Sequence, residues 1–213
     1  MTVQRFLRAP AVGLGVCAGL LLALGGAPAA AGEPADPHAH HMHPMPPKAA
    51  FVRSTVSYKL PSVTVVRADG SKVPFQKDID DGKPVILNFI YTTCTAICPV
   101  MTQIFAEVQN RLGSDRDKLR MVSVSIDPEQ DTPVRLRDYA KRYAAGPQWQ
   151  FYTGTVEASI AVQKAFDAYR GDKMNHLPVT FVRLAPGKPW VRLDGFATPD
   201  DIVKEYRTLV AAK

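Results

Sequence analysis

The chain has 213 residues, 46% of them hydrophobic and 22% charged, which suits one well-buried domain with a remainder at one end. Its 26 Lys and Arg against 20 Asp and Glu give a net charge of +6, but the basic residues are scattered and form no stripe of the kind that grips nucleic acid. Only three cysteines are present, too few for a disulfide scaffold.

Residues 1–31 have the layout of an export signal. Arg5 and Arg8 open it, Val12 to Leu24 is an apolar core, and Ala27 to Ala31 offers small-residue cleavage sites. An uncleaved anchor is the alternative, since Ala9 to Gly32 carries no charge and is just long enough to span a bilayer. Positive charge ahead of the apolar run would put the remainder outside. Either way the expected location is an oxidising compartment, most simply a bacterial periplasm. Cys17 falls inside this segment, so Cys94 and Cys98 are left for the folded part.

Residues 32–50 contain no Val, Ile, Leu or aromatic residue, and such a segment cannot bury enough surface to fold. It reads as a His/Met/Pro-rich tether. Four of the five histidines of the chain lie here, His38, His40, His41 and His43, together with Met42 and Met45. Imidazole and thioether suit copper in its two common states, so auxiliary metal capture is one role and a plain polar linker the other.

From Phe51 to residue 213 the composition is that of a folded domain. Val63 to Val66 and Lys72 to Phe75 flank the turn Ala68-Asp69-Gly70 and predict a hairpin. Val85 to Tyr91 is a continuous apolar run and predicts a buried strand. Pro99, placed at the first position of the next element, opens a helix that carries Met101, Ile104, Phe105, Val108 and Leu112 inward and stops at Gly113. Leu119 to Ile126 is the next strand. Thr132 and Pro133 start a second helix, and Thr155 caps a third after the short strand Gln150 to Thr153. Val179 to Leu184 and Trp190 to Leu193 flank Pro186-Gly187 as a second hairpin. Thr198-Pro199-Asp200-Asp201 starts the last helix. Alternation of strand and helix predicts an α/β domain with a central mixed sheet flanked by helices. With two cysteines after the first central strand, the thioredoxin-like fold is the natural assignment.

A helix start offers unpaired N–H groups and a positive dipole end, both of which favour thiolate over thiol. Cys94 and Cys98 are separated by Thr95, Ala96 and Ile97, one residue more than in the usual redox pair. That spacing suits two sulfurs converging on a soft metal, copper(I) or zinc among others, while a redox disulfide stays open. Two thiolates leave such a site incomplete. The single histidine outside the tether, His176, lies in the loop before Val179 to Leu184, which in a thioredoxin-like sheet abuts the helix carrying the cysteines.

Several stretches together resemble the Sco/SenC family of copper-binding cytochrome c oxidase assembly proteins. They are Tyr91-Thr92-Thr93-Cys94-Thr95-Ala96-Ile97-Cys98-Pro99, Ser125-Ile126-Asp127-Pro128-Glu129-Gln130-Asp131-Thr132-Pro133, the Thr153-Gly154-Thr155 turn and His176. The resemblance covers roughly Pro61 to Leu209. It implies that Cys94, Cys98 and His176 bind one copper ion, and that the partner is the copper-centre subunit of cytochrome c oxidase or another periplasmic copper or thiol protein. Asp127 looks like the family's acidic residue beside the cysteine loop, where it either tunes the site or caps a turn. Asn175 departs from the acidic residue that many relatives carry before the histidine.

The expected function is therefore an exported copper metallochaperone and not an enzyme. The alternative is a thiol–disulfide oxidoreductase that reduces the cysteines of a copper acceptor through Cys94 and Cys98 alone. A peroxidase is disfavoured because the proline-containing run of a peroxidatic loop is missing before Cys94. A purely structural disulfide leaves the placement of His176 without a purpose.

Overall fold

The computed structural model describes residues 51–212. The expected export segment (1–31) and the tether with its histidines and methionines (32–50) lie outside the described residues. Eight strands form one sheet in the order β1-β8-β7-β4-β5-β6-β2-β3. The strands are β1 (Phe51–Val56), β2 (Thr64–Arg67), β3 (Lys72–Pro74), β4 (Val85–Ile90), β5 (Arg120–Ser125), β6 (Trp149–Thr153), β7 (Val179–Arg183) and β8 (Trp190–Gly195). The helices are α1 (Phe75–Ile79), α2 (Ile97–Leu112), α3 (Pro133–Arg142), α4 (Val156–Ala165) and α5 (Pro199–Ala211). None of the described helices is long and apolar enough to cross a membrane.

β4 is the central strand of the mixed sheet. It pairs parallel with β5, which pairs parallel with β6. On its other side it pairs antiparallel with β7, which continues antiparallel to β8. All six β4 residues are buried, because both faces are covered. Alternate side chains divide between the faces as a strand's period of two requires. Ile86 and Ile90 pack with Phe105, Leu136 and Ile202 of α2, α3 and α5. Val85, Leu87 and Phe89 pack on the opposite face with Phe75, Ile79, Val162 and Phe166 from α1 and α4.

Local signals set most element ends. Thr132 Oγ1 accepts from the Arg135 N–H with Pro133 next to it, and Thr155 Oγ1 accepts from the Ala158 N–H. Thr198 and Asp201 form a reciprocal capping box. Gly113 ends α2 with a positive φ of 56°. Most strand ends fall within one or two residues of expectation, and two differences bear on the site and its surroundings. Phe75 opens the short helix α1 instead of ending β3. Helix α2 begins at Ile97, two residues ahead of Pro99. A proline anywhere in the first turn costs no hydrogen bond, because those N–H groups have no intrahelical partner. Cys98 is consequently a residue of the first helical turn.

Candidate metal centre

The central strand delivers the cysteine loop to the end of the sheet. β4 stops at Ile90, and the chain turns through Tyr91 to Ala96 before α2 begins. A buried carboxylate holds the turn in place. Asp131, 0% exposed, accepts from the Thr92 backbone N–H at 3.1 Å, from Thr92 Oγ1 at 2.5 Å and from Ser125 Oγ at 2.5 Å. Asp131 belongs to the loop after β5, so neighbouring strand ends are tied together just below the thiols. Burial pushes its carboxyl pKa up, against these hydrogen bonds.

Cys94 and Cys98 are both free thiols and come together as expected. The Cys98 N–H points at Cys94 Sγ at 3.4 Å. Their electrostatics diverge. Burial pushes the Cys94 thiol up, but N–H groups of Cys98 and Ala96 and the Tyr91 hydroxyl outweigh it, and its pKa falls below the ordinary 9.0. Burial pushes Cys98 well above that value, and the neighbouring Cys94 charge adds to the effect. Tyr91 is pushed up to about 12 by burial and by its hydrogen bond with Cys94, so it stays a donor.

His176 lies in the loop that leads into β7, at the same end of the sheet, and is 8% exposed. Its ring does not join the sulfurs in this conformation: Nε2 sits 3.1 Å from the Phe89 carbonyl oxygen. Among the described residues no three His, Cys, Asp or Glu side chains are grouped as a metal-ligand set. Burial lowers the imidazole pKa from 6.5, with the Arg170 charge in the same direction, so the ring is neutral at pH 7 and fit to donate a lone pair.

The loop is nonetheless tied to the site. Asp127, 6% exposed, receives Lys173 Nζ at 2.6 Å, linking the β5–α3 loop to the turn before His176. Lys173 Nζ also lies 5.7 Å from the centre of the Tyr91 ring. A cavity of about 280 Å³ opens behind this loop, with Asp127, Glu129, Ser159, Arg170, Lys173 and His176 in its walls. Sequence reasoning missed Asp131, Lys173, Tyr91 and Met174, whose Sδ meets the Tyr91 hydroxyl at 3.7 Å. Tyr91 and Asp131 lay within the recognised stretches, but their partners are distant in sequence.

Comparison with known proteins follows the same lines. The SCO1/SenC family model matches residues 63–211. A SCO1 protein homolog of Bacillus subtilis is 30% identical over 110 residues, covering 51% of this chain and 56% of that protein. A protein of Stutzerimonas stutzeri named as copper-binding is 32% identical over 98 residues, covering 46% and 47%. The chain thus spans about half the length of these curated relatives. Among solved structures, BsSco, a member of the Sco family of cytochrome c oxidase assembly proteins, superposes with a TM-score of 0.63 at 27% identity, covering 76% of this chain and 99% of that one. ScoI of Arabidopsis thaliana, solved with copper bound, shares the fold with a TM-score of 0.59 at 23% identity, covering 70% and 96%. With the mixed sheet, the paired thiols and a family match over most of its length, this chain belongs to the SCO1/SenC family.

Proposed function

We propose that this protein is an exported copper carrier. In this reading Cys94, Cys98 and His176 hold one copper ion and pass it to an acceptor during assembly of the dinuclear copper centre of cytochrome c oxidase. The observation that carries the proposal is the pair of adjacent thiols, one with a depressed pKa, next to a loop bearing a neutral imidazole. Two soft sulfurs and one nitrogen suit copper. The copper-binding name of the Stutzerimonas relative supports the same metal.

The residues have separable roles. Cys94, stabilised as thiolate by two backbone N–H groups and Tyr91, makes the first bond. Cys98 is 1% exposed and gives up its proton when a cation replaces it. His176 must leave the Phe89 carbonyl and turn toward the sulfurs, so closing the site requires a movement of its loop. Three ligands leave one side open to an incoming acceptor thiol. The tether residues His38, His40, His41, Met42, His43 and Met45 serve as an auxiliary reservoir. Support for that role comes from β1, whose Phe51 pairs with Gly195 at the sheet end that carries the cysteines.

Anaerobic titration of the reduced protein with copper(I), against a competing chelator, tests the reading. Wild type takes up one equivalent, Cys94→Ala and Cys98→Ala lose it, and His176→Ala binds at least about tenfold more weakly. Equal uptake by all four proteins rejects the site. The split thiols also suit disulfide exchange, and His176→Ala separates the two roles because a reductase keeps its exchange rate. Deleting residues 33–50 slows loading at limiting copper if the tether acts as a reservoir.

A further inference from the structure

We propose that Met174 is a capture ligand for copper(I), binding the ion beside Cys94 before His176 engages; this rests on the copper-carrier reading above. Met174 is 73% exposed, whereas Met101 and Met121 are 1% and 0% exposed in the core. Packing gives no reason for a long apolar side chain at that position. Its thioether is not idle, however. Sδ accepts from the Tyr91 hydroxyl at 3.7 Å, and the same hydroxyl lies against Cys94. Two sulfurs, one thiol and one thioether, thus flank a single phenol at the mouth of the site.

The loop is built to hold the thioether there. Asp172 Oδ1 accepts from the Met174 N–H at 2.8 Å, which opens the 3-10 turn Lys173–Asn175. Lys173 on one side is pinned to Asp127. Two residues further on, the imidazole of His176 is occupied by the Phe89 carbonyl. In this conformation the donor that the loop presents outward is sulfur and not nitrogen. A thioether is neutral and soft, so it favours copper(I) over copper(II) and zinc. Coordinating the thioether breaks only its hydrogen bond from Tyr91, the Cys94 thiol releases its proton to solvent as the ion binds, and no electrons move. The imidazole then replaces the thioether as the loop closes, leaving Met174 free again at the surface.

The test uses the full chain labelled with selenomethionine, reduced, and loaded without oxygen with one equivalent of copper(I). His176→Ala holds the protein at the capture stage. X-ray absorption at the copper edge is expected to show a copper–selenium contact in His176→Ala and none in Met174→Leu/His176→Ala. Stopped-flow transfer from a copper(I) chelator is expected to slow about tenfold in Met174→Leu, with the zinc affinity unchanged. No selenium contact in His176→Ala overturns the inference. So does a contact that survives Met174→Leu, which assigns it to another methionine of the chain, and so does an unchanged loading rate. Failure of wild type to take up stoichiometric copper rejects the carrier reading itself, a result read independently of residue 174. Circular dichroism checks that the exposed substitution leaves the fold unchanged.

Discussion

Cys94 and Cys98 share a helix start yet ionise differently, because what matters is which atoms face each sulfur. Cys94 collects N–H donors from Cys98 and Ala96 and lies against the Tyr91 hydroxyl. Cys98 is sealed among Ile90, Phe105 and neighbouring core residues, and gains little from the helix end beside it. Sulfur reacts as thiolate. A limiting amount of iodoacetamide therefore modifies Cys94 first, and the rate persists to lower pH than for an ordinary thiol, falling only as pH drops through the depressed pKa. Cys98 stays unmodified to higher pH than a free cysteine. Peptide mapping after alkylation between pH 6 and 9 checks the order, and preferential modification of Cys98 would contradict it.

At the scale of elements, the decisive device is the contact between two loops that leave different strands. Asp127 follows β5 and Lys173 precedes β7, and their ion pair fixes the turn that carries Met174 and His176. Lys173 is partly exposed, so the pair is worth only about 0.5–1 kcal/mol. Lys173→Met, which keeps most of the stem against Tyr91, should lower global stability by no more than that. Its larger effect is local: deuterium uptake across residues 170–177 rises while β4 and β5 stay protected. Unchanged uptake in that loop would mean the pair does not hold it. None of this was legible in the sequence, where Asp127 offered either a turn cap or a tuning role. The run Val85 to Tyr91 was legible because it has no polar interruption except Asn88. The start of α2 was misplaced because a proline is a marker for a whole first turn and not for one position. α1 escaped notice because five residues carry no helical period, and β1 because Val52 is exposed and Arg53 points to Glu205, which disguises its alternation. The cysteines and His176 could be chosen by scarcity, but the direction of an imidazole depends on a carbonyl 87 residues away.

For the molecule as a whole, the site end rests on an aromatic core that the cysteines do not join and that meets His176 only through the Phe89 carbonyl. Phe166 is 0% exposed, and its ring centre lies 4.9 Å from that of Phe181, 5.0 Å from Trp190 and 5.9 Å from Phe89. These rings fill the face opposite α2 and fix β4 from below. Phe166→Ala should cost about 3–5 kcal/mol, since the rigid strands cannot collapse into the space. Urea unfolding measures the loss. Under native conditions the order of thiol modification should be unaffected, because the cysteines belong to the other face. Alternation of strand and helix in the sequence sufficed to predict this layered architecture; the meeting of four aromatic side chains from β4, β7, β8 and the end of α4 did not follow from any local pattern.

The two ends of the domain are not equivalent for anyone handling it. β1 begins opposite Gly195, at the sheet end that carries the thiols, whereas α5 starts after β8 and runs away from that end, with Arg207 reaching the Arg111 carbonyl at the far end of α2. A fluorophore, affinity handle or surface linkage placed at the exposed last turn of α5 would leave the reactive rim unobstructed. The same attachment just ahead of Phe51 would stand at the end of the sheet where the thiols lie, and donor–acceptor assays on immobilised protein should differ between the two orientations for that reason.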